Sequence, residues 1–316
     1  MDRNLALEFV RVTEAAAIAA AGWIGRGDKN AADQAAVDEM RARFNQIQFM
    51  GEIVIGEGMK DQAPELYVGE KLGQDKDCQG LCLDIAVDPL ECTDSVANGT
   101  PNAMTVIATG AKGSLFHAPD MYMEKIACGP EAAGAVSLDK SVADNLSAVA
   151  ARLKKEVSEL VVLTLDRPRH ADLIKQVRAA GARVRLITDG DVAGAIAPSL
   201  PDSGIDLLMG TGASAEAVLA ATAIKCLGGE LHARLKPKDD AQRAQVMAMG
   251  ITDIEKILTA DDLAQGSDLT FTATGVIDGP LLQGVRYTAD YCITHSVVMR
   301  VKSGTIRFLE TRHRLK

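Results

Sequence analysis

The chain has 316 residues, room for one large or two ordinary domains, and its 47% apolar and 24% charged residues are those of a soluble globular protein. Aromatic residues make up only 3%, so the core has to be aliphatic and alanine-rich. A net charge of −9 and a pI near 5.2 argue against nucleic acid or an anionic membrane as partner, and an anionic substrate would need local cations or a metal.

No run approaches a membrane span. The start, Met1-Asp2-Arg3-Asn4, leads into an alanine-rich stretch broken by Glu8, Arg11 and Glu14. That is no signal peptide, and the expectation is a cytoplasmic protein. The six cysteines, Cys78, Cys82, Cys92, Cys128, Cys226 and Cys292, contain no C-x-x-C and read as reduced thiols.

Residues 2–24 predict one helix, closely packed through the alanines of 15–21 and ended by Gly25 and Gly27. Asp28 can cap a second helix to about Ile47, with Val37, Met40, Phe44 and Ile47 as its apolar stripe. Lys29 and Asp33, four apart, share a face near its start, and a surface ion pair is the plain reading. Residues 51–58 predict a strand ending in Glu57, which glycine flanks on both sides. Asp61 follows in a turn, and residues 64–72 predict a short helix.

Residues 81–93 form the stretch around which the chain is organised. An apolar strand alternates into acid, with Asp84, Ala86 and Asp88 on one face. Pro89, lacking an N–H, is expected to stop it, with Glu91, Cys92 and Thr93 in the turn. Paired buried carboxylates repel unless a cation lies between them, and hard oxygen ligands suit Mg²⁺ or Mn²⁺. A solvated turn with two incidental acids is the other reading. A glycine turn at Asn98-Gly99 and strands over 103–109 and 113–118 follow, and 121–125 reads as a surface loop.

From about 158 the pattern becomes βαβαβα: strands at 160–165, 183–188 and 205–209, helices at 171–180, 192–197 and 214–227. It predicts a parallel sheet, with ligands beyond the carboxyl ends of its strands. Those ends carry Asp166-Arg167-Pro168-Arg169-His170, then Asp189-Gly190-Asp191, then Gly210-Thr211-Gly212-Ala213-Ser214-Ala215-Glu216. Two arginines flanking a rigid proline suit a phosphate dianion. Asp-Gly-Asp suits sugar hydroxyls or a metal. Glu216, one turn into a helix, can ligate a metal or merely meet the helix dipole. A helix over 239–249, strands over 268–276, 291–301 and 305–311, and a hairpin across 302–304 complete the chain.

There is no G-x-S-x-G, His-Glu-x-x-His or Walker A motif. Gly210-x-Gly212-x-x-Ala215 fits the dinucleotide fingerprint, but on the third strand of its unit and with no acid ending the next. A dinucleotide-binding oxidoreductase is therefore a distant alternative. Five acids at strand ends or turns (Asp33, Glu57, Asp88, Glu91, Glu216) point instead to a multi-metal phosphoryl site.

The pieces Gly25-Arg26-Gly27-Asp28-Lys29-Asn30, Val54-Ile55-Gly56-Glu57-Gly58, Asp84-Ile85-Ala86-Val87-Asp88-Pro89-Leu90-Glu91, Pro119-Asp120-Met121-Tyr122-Met123-Glu124-Lys125, Pro168-Arg169-His170, Asp189-Gly190-Asp191-Val192-Ala193 and Thr272-Ala273-Thr274-Gly275 stand in order along nearly the whole chain. In them it resembles the class II fructose-1,6-bisphosphatases of bacteria. The resemblance implies an α/β, layered α-β-α-β-α sandwich related to the inositol monophosphatases. Its sheet would be mixed in the N-terminal part and mainly parallel in the C-terminal part. Two domains, 1–155 for metal and 156–316 for substrate, would meet at the site.

Residue by residue, the resemblance implies metal contacts for Asp33, Glu57, Asp88, Glu91 and Glu216. It implies substrate contacts for Glu91, Cys92, Thr93, Tyr122, Arg167, Pro168, Arg169, Asp189, Gly190, Asp191 and Ala213. Lys29, Asp61 and Thr93 would serve near the reaction centre. It further implies Mg²⁺ or Mn²⁺ as cofactor and a homo-oligomer, dimer or tetramer. The implied reaction is hydrolysis of the 1-phosphate of fructose 1,6-bisphosphate in gluconeogenesis. The alternatives are a dual fructose-1,6-/sedoheptulose-1,7-bisphosphatase and a weakly active sugar-phosphate-binding paralogue. Two departures stand out. Cys92 replaces the family glycine before Thr93, as a reactive thiol or as a small inert hydrophobe. Gly212-Ala213-Ser214-Ala215-Glu216 replaces Gly-Gly-Ala-Pro-Glu.

Overall fold

The structure, a computed structural model, describes residues 5–58 and 65–315. The chain divides into two compact units, Met1–His117 with Ala264–Lys316, and Ala118–Leu263. The first begins with α1 (Leu5–Ala21), whose Ala16, Ala17 and Ala20 are fully buried. Side chains this small let α1 lie close to its neighbours. The Asp28 carboxylate accepts from Ala31 N–H at 3.0 Å and so caps α2 (Lys29–Phe44). Phe9, Phe44 and Phe49 meet with ring centroids 5.5 to 6.2 Å apart, concentrating the scarce aromatic area in one core.

Next come β1 (Met50–Ile55), the two-residue β2 (Lys71–Leu72), β3 (Cys82–Glu91), α3 (Thr93–Asn98) and β4 (Met104–Ala111). The expected helix over 64–72 does not form in its described part. There Gly69 N–H donates to Ile53 C=O at 2.7 Å, and Glu57 N–H to Leu66 C=O at 3.0 Å, so the segment is tied to β1. Pro89 does not end its strand either. β3 continues to Glu91 through a bulge, its pairing with β4 passing from Asp88–Val106 to Glu91–Met104. Residues 113–118 form no strand, because Gly113 and Leu115 give their N–H groups to the Asp84 carboxylate at 2.8 and 3.2 Å.

Cys78 and Cys82 form a disulfide, which corrects the expectation of six reduced thiols; Cys92, Cys128, Cys226 and Cys292 belong to no disulfide. The Asp75 carboxylate takes the N–H groups of Gln79 and Gly80 and curls this turn, leaving the two cysteine Cα atoms 5.6 Å apart.

The second unit contains β5 (Tyr122–Cys128), α4 (Val142–Leu153), β6 (Val161–Leu165), α5 (Ala171–Ala179), β7 (Arg183–Ile187), α6 (Asp191–Ile196), β8 (Leu207–Ala213), α7 (Ser214–Leu227), β9 (Glu230–Lys236), α8 (Asp240–Ala248), β10 (Leu258–Thr259) and α9 (Ala260–Leu263). Its sheet runs β10-β9-β5-β8-β6-β7. Only β7, β6 and β8 are parallel; β5 is antiparallel to both β8 and β9, and β10 to β9. The sheet is thus mixed and not mainly parallel. The stretch expected to be a surface loop, 121–125, supplies most of β5, which has a strand on either side. Helix α4 and strand β9 were not foreseen.

The chain then returns to the first unit with β11 (Thr270–Gly275), β12 (Arg286–Tyr287), β13 (Tyr291–Arg300) and β14 (Thr305–Arg314). Their sheet runs β12-β13-β11-β4-β3-β1-β2, with β14 also on β13; only β1 and β3 are parallel. The expected β13–β14 hairpin forms across residues 301–304. The expected boundary at 155/156 falls inside the second unit, because β11, β13 and β14 bond into the first sheet and α4 packs in the second core. Among the described residues no helix is long and apolar enough to cross a membrane.

Candidate functional site

In the first unit, parallel pairing places the acids. Ile55 of β1 lies opposite Ala86 of β3, so Glu57, two residues past the end of β1, and Asp88, two residues further along β3, lie toward the same end of the strand pair. Asp33 lies one turn into α2 and faces Glu57. Burial raises the Asp33 pKa. Burial, with the Asp33 charge added, pushes Glu57 up to about 7. Glu91 ends β3 almost fully buried, and the Asp88 carboxylate accepts from Leu90 N–H at 3.2 Å inside the bulge. Lys29 pairs not with Asp33 but with Asp94 on α3, at 3.1 Å and well exposed. The turn that carries it is fixed from the same side, since Gly25 and Gly27 donate to the carbonyls of Val96 and Ala97. Asp61 lies outside the described residues.

Cys92 is the N-cap of α3 with φ 69° and ψ 51°, the left-handed conformation that glycine enters most easily. Its side chain is 5% exposed and belongs to the apolar cluster around Leu90 and Val96, which is the small-hydrophobe reading. Thr93, the first residue of α3, is partly exposed.

In the second unit, Arg167, Pro168 and Arg169 form a tight turn after β6. Arg169 Nε donates to Thr211 C=O at 2.9 Å, and the guanidinium carbon lies 4.7 Å from the centre of the exposed Tyr122 ring. Asp189 accepts from Gly190 N–H, and left-handed Gly190 leads into α6 with buried Asp191 in its first turn. Ala213 precedes α7, and Glu216 lies in that helix's first turn. Among the described residues Glu216 Oε2 is shut off from solvent without a hydrogen-bond partner. Burial, with Asp191 adding repulsion, pushes Glu216 up to about 7, while Lys125 counteracts.

Sequence reasoning gave Lys125 no role. It is 3% exposed on β5 and holds Asp191 at 2.7 Å. The available signal was a lysine leading straight into the apolar run Ile126-Ala127-Cys128. This pair also explains Gly212: a Cβ there would lie 1.9 Å from Asp191 Oδ2 and 3.1 Å from Lys125 Nζ. That glycine of the apparent dinucleotide fingerprint therefore makes room for an ion pair, which accounts for the motif without a nucleotide.

Among the described residues no group of three or more His, Cys, Asp or Glu side chains is drawn together as a ready cation cage. What fits a hard divalent ion is the donor chemistry: the Asp33–Glu57 carboxylate pair and the closed-off oxygen of Glu216, each held away from easy ionisation by burial.

Residues 3–313 match the family model described as bacterial fructose-1,6-bisphosphatase, glpX-encoded. A Synechococcus sp. (strain JA-3-3Ab) protein named D-fructose 1,6-bisphosphatase class 2/sedoheptulose 1,7-bisphosphatase is 45% identical, over 99% of this chain and 96% of that one. A Crocosphaera subtropica protein of the same name is 44% identical, over 99% and 97%. Matched along almost its whole length, the chain belongs to the glpX-encoded bacterial fructose-1,6-bisphosphatase family.

Proposed function

We infer that this protein hydrolyses the 1-phosphate of fructose 1,6-bisphosphate, giving fructose 6-phosphate and phosphate. The observation that carries the reading is the full-length match at 45% identity to a protein named for that activity. The same relatives are named for sedoheptulose 1,7-bisphosphate as well, so a second bisphosphate substrate is part of the proposal.

Asp33, Glu57, Asp88 and Glu91 are the proposed Mg²⁺ or Mn²⁺ ligands of the first unit, and Glu216 offers a further carboxylate in the second. The half-buried Asp33–Glu57 pair supports this assignment. A bound cation would polarise the phosphate oxygens and offset their charge. The chain's own groups do the rest. The Thr93 hydroxyl orients the attacking water, and Asp61 accepts its proton. Lys29 adds positive charge beside them. The N–H groups at the start of α3 face the phosphate, which Cys92 can still do through its backbone. Arg167 and Arg169 bind the distant phosphate, Tyr122 lies under Arg169, and Asp189 and Asp191 meet sugar hydroxyls.

Phosphate release from a panel of sugar mono- and bisphosphates, with Mg²⁺ or Mn²⁺ added, tests the proposal. Bisphosphates should be turned over and monophosphates hardly at all. Absence of turnover with every bisphosphate would leave a binding paralogue instead.

A further inference from the structure

The ladder between β6 and β8 is short: Val162 pairs with Leu207 and Leu163 with Leu208. Beyond Leu208, β8 continues to Ala213 paired with β5 on its other side. In place of further ladder bonds, two consecutive side chains from the turn after β6 hold a single residue of β8. His170 Nε2 receives Thr211 N–H at 2.7 Å, and Arg169 Nε donates to Thr211 C=O at 2.9 Å. His170 Nδ1 is 2.8 Å from Leu165 C=O. Because Thr211 N–H can only donate, Nε2 must be the acceptor; Nδ1 then carries the proton and donates to Leu165. One neutral tautomer satisfies both bonds.

We propose that His170 is a positioning residue for phosphate recognition: its neutral imidazole clamps the end of β8 to the turn after β6 and fixes the Thr211 carbonyl on which Arg169 is anchored. The inference rests on the reading of Arg169 as the anchor of the distant phosphate.

Three features make the clamp more than packing. The imidazole is 2% exposed, yet both ring nitrogens are used on backbone at the open strand ends. Gly210 makes room for it, since a Cβ there would lie 3.1 Å from Nε2. Arg169 itself is exposed. Its Nε is tied to Thr211 and its plane rests near Tyr122. Among the described residues its terminal nitrogens make no hydrogen bond. A guanidinium held at Nε and supported on a ring presents those nitrogens in one direction, so little freedom is lost when a phosphate binds. Loosening Thr211 would return that freedom to the arginine. Burial lowers the His170 pKa, which keeps the acceptor state at neutral pH.

The test is a double-mutant cycle on the full-length, metal-supplied protein. Fructose 6-phosphate, which carries only the distant phosphate, is the titrant, and KM and kcat for fructose 1,6-bisphosphate are measured alongside. R169A should weaken fructose 6-phosphate binding by about tenfold or more, as for loss of a charged hydrogen-bonding partner. H170L should weaken it comparably and raise KM with kcat at saturation held. H170Q, whose amide oxygen can accept from Thr211 N–H, should bind within about threefold of wild type. R169A/H170L should bind no more weakly than R169A alone, because His170 acts through Arg169. If H170L does not fold, H170N, whose shorter amide does not reach Thr211, takes its place in the cycle. Unchanged binding in H170L, or an equal further loss on the R169A background, would overturn the clamp while leaving Arg169 as anchor. Unchanged binding in R169A would overturn the anchor reading and the clamp with it.

Discussion

Glu57→Gln should have opposite effects on stability with and without metal. Glu57 stands half-buried beside Asp33, and its pKa is pushed from 4.5 to about 7. The folded state therefore holds a proton that the unfolded chain releases between those values. Stability of the metal-free protein falls as pH rises through that window and levels off above it. At 1.36 kcal/mol per tenfold, the ionised carboxylate costs the metal-free fold about 3 kcal/mol at pH 8, as an upper bound. Glutamine removes that charge with little change of shape. In EDTA at pH 8, the Gln variant should melt a few degrees above wild type, and the gap should close as pH falls below 4.5. With millimolar Mg²⁺ or Mn²⁺ at pH 8 the order should reverse, since wild type gains the metal's binding free energy and the variant loses a ligand. Thermal melts of both proteins under these conditions decide the matter. A variant no more stable than wild type in EDTA at pH 8 would refute the buried-carboxylate argument. An unchanged response to metal would refute ligation by Glu57.

Exhaustive chelation should abolish phosphate release, and added Mg²⁺ or Mn²⁺ should restore it; full turnover in EDTA would exclude the carboxylates as a metal site. Thr93→Ala should lower kcat far more than it changes KM, because water orientation is felt mainly in the transition state, and a raised KM at unchanged kcat would make Thr93 a binding residue. Lys125→Met leaves Asp191 buried without its cation and should destabilise by about 3 kcal/mol or more, read by denaturant unfolding, whereas a change under about 1 kcal/mol would mean Asp191 finds water or another partner. Cys92→Gly exchanges left-handed strain of about 1 kcal/mol for a similar loss of buried side chain, so stability and kcat should both stay near wild type. A severe loss of kcat in that variant would show that the thiol side chain itself serves the reaction.

The candidate site residues could be singled out locally. The acids and arginines announce themselves because hard, charged groups at strand ends are costly unless a ligand meets them. The ranges of α5, α6 and α7 came close to expectation because the turn residues that precede them and their helix-forming composition are local properties of the segment. The bulge at Pro89 was misread as a stop, since the missing N–H is tolerable only in a strand whose partner shifts register there. Strand β5 was misread for a related reason. Glu124 and Lys125 look like surface residues until Asp191, 66 positions on, supplies the lysine's counter-charge.

Sequence by itself determined the charged inventory, the helix caps and the family, because these depend on residue identity and short spacing. Tertiary structure alone decided partners. It sent β11, β13 and β14 back to the first sheet across the whole second unit and tied Lys29 to Asp94 instead of Asp33. It also gave His170 and Lys125 their work. A hydrophobic period states which face is buried but not against what, and a side chain's hydrogen-bonding capacity acquires a role only when folding brings up the group that uses it.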